Sequence, residues 1–530
     1  MALRMWMYDL AREQAPTLEH LQQICELTIA SGYNALGLYL EHRFAYPSTP
    51  WMHGKDCLTP ESIEWIQEQF PQLQIIPFVN LLGHFEGFLY AEPGARLNEK
   101  LFAGMQACAN KPEFLELANG ILDDVMRIFK SDIIHIGGDE TSELAQCAVC
   151  KAKAKEYEEA GFSDGKAELF ERHFGPLAQK VLDAGRRPAV WGDMFLEHPT
   201  ALDKFPKETL IFHWQYFESA SKTAGIFKEK GLEIVYCPTI QTYNATWMNL
   251  PQSERNVTEN AVDAHKDGVF GVCVTTWECG LFGNYETIFP AIRASGKLLQ
   301  QAEAGELQAN PAWETTELKD ERGGSAFLKE YLAEGEDFEE WARLMGIELL
   351  DCGGVFTWCG IRSSLKCRLL LYSNPFLAWL HHRDEMIGET GKRALNIIER
   401  AVVFAPNASY RGVTDFGKSA IQFIQFAEQS HLEYAKGHPG AAVAALTPCR
   451  QIFDNLSKIA QSNYLRIGGS TADQYRCIAA KLHVEKVISR IKEYGDGSLG
   501  YLPSYEMITH PCFVPHDQSG WWLINNWAKE

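Results

Sequence analysis

Through the first 300 residues the chain alternates between short apolar runs and longer stretches with apolar positions three and four apart. Eight runs are rich in β-branched and aromatic residues: "RMWMYD" (4–9), "ALGLYLE" (35–41), "LQIIPFVN" (73–80), "DIIHIGGD" (132–139), "PAVWGDMF" (188–195), "TLIFHWQY" (209–216), "EIVYCPTI" (233–240) and "VFGVCVTTW" (269–277). Several lack a polar alternate, as expected of strands covered on both faces. Helical patterns lie between them. "TLEHLQQICELTIASG" starts at Thr17 and ends near Gly32. "TPESIEWIQEQF" offers Thr59 as an N-cap with Pro60 in the first helical position, and "KPEFLELANGILDDVMRIF" (111–129) is amphipathic. Eight β–α alternations predict an α/β fold, a parallel (β/α)8 TIM barrel.

The pattern changes after residue 305. "GELQANPAWETTELKDERGGS" is polar, with glycine and proline, and reads as a linker or long loop. Helical stretches follow at 325–350, 361–388, 391–404, 414–436, 440–462 and 471–494. Two domains are therefore expected: a barrel over residues 1–305 and a mostly helical C-terminal domain over 306–530, whose surface is available for a homodimer interface.

Composition narrows the class. The chain has 530 residues, 46% hydrophobic and 12% aromatic, enough for two buried cores. The net charge of −20 is spread along the chain, which argues against a nucleic-acid or anionic-membrane partner. No window has the length and apolarity of a membrane span. The first residues, "MALRMWMYDLAREQ", lack the apolar core of a signal peptide, and the 14 cysteines read as reduced thiols, so a cytoplasmic protein is expected. Cys147 and Cys150 in "CAVC" form a lone CxxC with no second pair, and read as helix-packing thiols. Neither a metal nor a cofactor is expected.

The candidate chemistry lies in "IIHIGGDET" (133–141), where an apolar run meets two glycines and then two adjacent carboxylates, Asp139 and Glu140. Active sites of such barrels gather at the C-terminal ends of the strands. Around that rim the sequence also places His84 in "GHFE", Trp191 and Asp193, His213 and Trp214, Tyr243, then Trp277 and Glu278. Two acids within a ring of aromatics suit a small carbohydrate. Adjacent carboxylates raise one another's pKa, so that one can hold a proton for a leaving oxygen.

"HIGGDE" (135–140) resembles the signature of the family 20 glycoside hydrolases, the β-N-acetylhexosaminidases. The resemblance extends to the spacing of Arg4, Asp9 and Arg12, to "GHFE" with His84, and to Trp191, Trp214, Tyr243 and Trp277 as pocket aromatics. It implies an exo-acting, retaining enzyme that removes terminal β-linked GlcNAc or GalNAc from oligosaccharides or glycoconjugates. Glu140 would be the general acid and later the general base. Asp139 would orient the substrate's 2-acetamido group, which is itself the nucleophile. Tyr243 would bond the acetamido oxygen, Trp191, Trp214 and Trp277 would wall the sugar, and Arg4 would grip its hydroxyls. His84, His135 and Glu278 complete the expected substrate contacts.

The departures from the family pattern concern the 4- and 6-hydroxyls. "YNA" lacks the usual aspartate after Tyr243, Trp277 is followed directly by Glu278, and Glu41–His42 replaces an acidic pair. These favour a GalNAc-tolerant or GalNAc-preferring site. Two other readings stay open at this point. One is a metal-dependent barrel hydrolase using His84, His135, Asp139 and Glu140, although the first strand has no His-x-His. The other is a carbohydrate-binding protein that has lost catalysis. For each residue a bland reading also stands: Asp139–Glu140 as a helix cap, the tryptophans as core, His84 as a satisfied histidine, Arg4 as a salt-bridge partner.

Overall fold

The protein is described here by a computed structural model covering residues 1–11, 15–53, 57–100, 104–242, 247–277, 281–310, 324–352, 375–468 and 472–495. Its strands are β1 (Leu3–Asp9), β2 (Ala35–Tyr39), β3 (Gln74–Phe78), β4 (Ile133–His135), β5 (Arg187–Trp191), β6 (Leu210–Trp214), β7 (Glu233–Cys237), β8 (Thr239–Ile240) and β9 (Gly271–Thr276). They form one parallel sheet in the order β1 to β7, then β9, then β8. β1 pairs with β9, from Leu3 opposite Gly271 to Tyr8 opposite Thr276, and this closes the sheet into a barrel. The two-residue β8 continues the line of β7 and pairs with the end of β9. Eight principal strands result, each on a predicted apolar run, with β1 and β5 starting one residue before theirs.

Alternation decides what fills the barrel. One buried cluster takes Met5 and Met7 from β1, Ile76 and Phe78 from β3, Ala189 and Trp191 from β5, Leu210 and Phe212 from β6, and Val235 and Cys237 from β7. These are residues two apart, the spacing that puts side chains on one face of a strand. Carried two residues further, the same rows leave the apolar layer and reach Asp9, Asn80, Asp193 and Trp214. Chain geometry thus brings polar and aromatic side chains to the C-terminal rim.

The helices between strands start where the sequence signals them. Thr17 caps Leu18–Ala30, and Thr59 caps Pro60–Gln69 through a reciprocal capping box with Ser62. Each such cap stabilises its helix by about 1 kcal/mol.

The chain divides into two compact units. One comprises Met1–Ile240, Gln252–Trp277 and Ala291–Gly323; the other comprises Gln241–Pro251, Glu278–Pro290 and Gly324–Glu530. The second unit is helical. Its longest helices are Glu389–Phe404, Ala408–Ala435, Pro439–Ile467 and Ala472–Gly495, and the predicted stretch 361–388 is described only in part, as Phe376–Ile387. Within this unit, Trp247 packs edge-on against Trp341 at 4.6 Å, and its indole N–H donates to Thr287 Oγ1 at 3.0 Å. Glu286 accepts from Ser409 Oγ at 2.6 Å and pairs with Arg466. Among the described residues no helix is long and apolar enough to cross a membrane.

Candidate active site

The predicted carboxylate pair sits just past β4 with unequal exposure. The Asp139 side chain is 10% exposed and that of Glu140 is 53% exposed. His84, from the loop after β3, faces both: its Nε2 lies 3.4 Å from Asp139 Oδ2 and 3.2 Å from Glu140 Oε2. Burial alone would push the imidazole pKa down. The Tyr39 phenol, Asp139 and Glu140 outweigh it and hold the pKa well above the ordinary histidine value. Asp139 Oδ1 is buried and has no hydrogen-bond partner among the described residues.

Backbone strain concentrates at this rim. Glu41, His84 and Glu140 follow β2, β3 and β4, and all three adopt positive φ, at 37°, 47° and 44°. For residues with a β-carbon this costs about 1–3 kcal/mol each and persists only where surrounding structure enforces it. Gly137 and Gly138, at φ 83° and 103°, make the turn between β4 and the acids. A β-carbon on Gly137 would come within 2.7 Å of Asn80 Oδ1 and 2.9 Å of the Val79 carbonyl, so the two loops pass too closely there for any other residue.

Asp193, just past β5, supports the pair from behind. Its Oδ2 accepts the Glu140 backbone N–H at 2.9 Å and its Oδ1 accepts the Trp214 indole N–H at 3.2 Å. Burial, followed by the charge of Asp139, pushes the Asp193 carboxyl up to about 8. Trp214 stacks on Tyr216 at 5.1 Å, and the Tyr216 hydroxyl accepts from the Trp277 indole at 2.7 Å. Trp277 meets Tyr39 edge-on at 4.9 Å. One aromatic wall therefore runs from β6 to β9 and ends on β2. On the other side Asn80 donates to the Tyr39 hydroxyl at 2.6 Å and to Glu41 Oε1 at 3.4 Å.

Residues 72–279 of this chain match glycosyl hydrolase family 20, catalytic domain. The matched stretch runs from β3 through β9 and holds Asp139 and Glu140. Over 202 residues the chain is 26% identical to a β-hexosaminidase of Akkermansia muciniphila, covering 33% of this chain and 38% of that protein. Over 190 residues it is 25% identical to hexosaminidase D of Bos taurus, covering 35% and 54%. The chain thus spans less than two thirds of the length of these relatives. A solved exo-β-N-acetylglucosaminidase from Vibrio harveyi, in complex with N-acetylglucosamine, aligns with a TM-score of 0.47 at 17% identity, over 63% of this chain and 57% of that one.

The structure brings together His84, Asp139, Glu140, Trp214 and Trp277. Three expected sugar contacts are corrected. Arg4 stands at the N-terminal end of β1, away from the acids. It pairs there with Glu303 at 2.7 Å and donates to the Gly32 carbonyl at 3.1 Å, so a strand's length separates it from the rim. His135 is fully buried inside the barrel, stacked on Phe78 at 4.3 Å, and its Nδ1 accepts the Gly137 N–H at 3.1 Å. Burial holds its pKa well below the usual value, so it is a neutral packing group. Trp191 has no exposed surface; it packs against Phe78, His135, Phe212 and Trp277 and backs the aromatic wall without forming its face. Tyr243 and Glu278 lie outside the described residues. Asp193 and Tyr216 had no role assigned from sequence. The available signal was period two: each sits two residues beyond a tryptophan already in view.

Proposed function

We propose that this protein is an exo-acting, retaining β-N-acetylhexosaminidase that removes terminal β-linked GlcNAc or GalNAc from oligosaccharides or glycoconjugates, with a GalNAc-tolerant or GalNAc-preferring site. The observation that carries the reading is the division within the acid pair: Glu140 is half exposed, while Asp139 is buried beside it with Oδ1 lacking a donor.

Glu140 donates its proton to the glycosidic oxygen as the bond from C1 breaks. The substrate's acetamido oxygen attacks C1 from the opposite face and forms an oxazolinium ring. Asp139 Oδ1 accepts the acetamido N–H and balances the charge the ring gains. Glu140, now a carboxylate, takes a proton from water, which opens the ring at C1. Two inversions leave the configuration retained, with no enzyme carboxylate bonded to sugar. His84 Nε2, 3.4 Å from Asp139 and 3.2 Å from Glu140, holds both side chains in place. Trp214 and Trp277, tied through Tyr216, offer apolar faces to the sugar ring and the acetamido methyl.

Release of chromophore from aryl β-GlcNAc and aryl β-GalNAc glycosides tests this, with a thiazoline that mimics the oxazolinium ring as inhibitor. Turnover of at least one glycoside, blocked by the thiazoline, is expected. No turnover of either, or full activity in Glu140→Gln, overturns it.

A further inference from the structure

Away from the acids, three thiols and a carboxylate converge. Glu99 and Cys108 come from the loop after β3, and Cys147 and Cys150 from the start of the helix Ala148–Glu159, which follows the β4 loop. Their ligand atoms all lie within 4.8 Å of one another. Cys108 Sγ is 3.7 Å from Cys147 Sγ and 3.4 Å from Cys150 Sγ, and Cys150 Sγ is 3.2 Å from Glu99 Oε2. Four ligands around a tetrahedral zinc with Zn–S bonds of about 2.3 Å stand roughly 3.7 Å apart, so these separations are those of a closed coordination shell.

The surroundings orient each donor. Glu99 Oε1 accepts the backbone N–H groups of Gln146 and Cys147 at 2.8 and 2.9 Å, which leaves Oε2 turned to the sulfurs. The Cys150 N–H donates to Cys147 Sγ at 3.3 Å, the CxxC turn of zinc-binding loops, and Asn110 Nδ2 donates to Cys150 Sγ at 3.2 Å. Such outer hydrogen bonds fix the ligands of a metal site. Glu99 is 3% exposed, and among the described residues no cation pairs with it. A buried carboxylate beside three thiols is costly without a positive charge to face. A disulfide between any two of the thiols would leave the third thiol and Glu99 uncompensated.

We infer that Glu99, Cys108, Cys147 and Cys150 form a structural site for one thiophilic divalent cation, zinc by ligand type, that clamps the β3 loop to the β4 loop. All four tetrahedral positions come from protein, which suits a structural ion better than a reactive one. The clamp has a short route to the active site. Ala107, next to Cys108, donates to the Leu82 carbonyl at 3.0 Å, and Phe85, next to His84, donates to the Met105 carbonyl at 2.9 Å. From the β4 loop, Glu143 accepts the Gln106 N–H at 3.2 Å. The segment that carries a sulfur ligand thus runs alongside the one that carries His84. The lone CxxC read as packing thiols because its partners lie 39 and more residues upstream.

The test is metal content of the full chain purified under reducing conditions without chelator. About one zinc per chain is expected from one four-ligand site, with at least about tenfold less in Cys147→Ser or Cys150→Ser, and no loss in Cys449→Ser, a buried thiol elsewhere. Because a serine variant can fail to fold, the unaltered chain is also stripped with chelator and given cobalt(II). Thiolate-to-cobalt charge transfer and intense tetrahedral d–d absorption should appear and be displaced by zinc. A reduced chain that holds under about one tenth of an equivalent of divalent metal and gives no cobalt bands overturns the proposal. So does a non-reducing peptide map that finds two of the three cysteines joined as a disulfide.

Discussion

Asp193 holds Glu140 by its backbone: the carboxylate at the end of β5 accepts the Glu140 N–H at 2.9 Å. This bond, together with the one from Trp214, fixes the exposed acid in its positive-φ conformation and aligns the aromatic wall with it. Asp193→Ala should lower kcat about 2- to 10-fold with little change in KM, since a hydrogen bond to a protonated, neutral carboxyl contributes about 0.5–1.5 kcal/mol and the loss falls on geometry needed in the transition state. A larger effect on KM than on kcat, measured with chromogenic glycosides, would count against this positioning role. Asp193→Asn, which keeps one acceptor oxygen, should fall between the two.

Asp193 also predicts a pH dependence of stability. Its carboxyl titrates near 8 in the folded chain, and near the ordinary value of about 4 when unfolded. Between those values the folded chain holds a proton that the unfolded chain has released, so stability falls as pH rises through the window; below about 4 both states are protonated and the slope from this group vanishes. Asp193→Asn is neutral throughout. Its Tm should therefore drop less between pH 5 and pH 8 than that of the unaltered chain, and an unchanged or steeper drop would disagree.

Glu140→Gln should reduce kcat by about 10²–10⁴ on substrates with a poor leaving group, the usual worth of a positioned proton donor. Aryl glycosides whose leaving group needs no proton should lose less. Because the Glu140 side chain is half exposed, its Tm should stay within about 1–2 °C of the unaltered value.

Arg4→Ala separates the two placements of that residue. An arginine gripping sugar hydroxyls would raise KM strongly when removed. The ion pair with Glu303, partly exposed on both sides, contributes only about 0.2–1 kcal/mol, so KM and kcat should stay within about twofold while Tm falls slightly.

Much of the barrel was legible in the chain, since strands buried on both faces must be apolar throughout and helices between them must be amphipathic. The eight runs and the Thr17 and Thr59 caps are local signals. "HIGGDE" was legible for the same reason: the glycines and acids act within one turn. Arg4 misled because motif spacing is blind to strand direction. A residue at the start of a parallel strand lies at the opposite end of the barrel from one at its finish, whatever its distance from Asp9 along the chain.

By itself, then, the sequence determined the alternation of strands and helices, the position of Asp139 and Glu140 past the fourth strand, and the resemblance to family 20. Only the tertiary structure decided which side chains meet. It turned Trp191 and His135 into the packed core, because alternation at β4 and β5 points both into a closed barrel with no solvent. It set Asp193 behind Glu140 and His84 between the acids, contacts between neighbouring strands that are 53 or more residues apart in the chain. And it gathered Glu99 and Cys108 onto the CxxC pair, since two loops that leave adjacent strands are neighbours in space although nothing in their local pattern refers to one another.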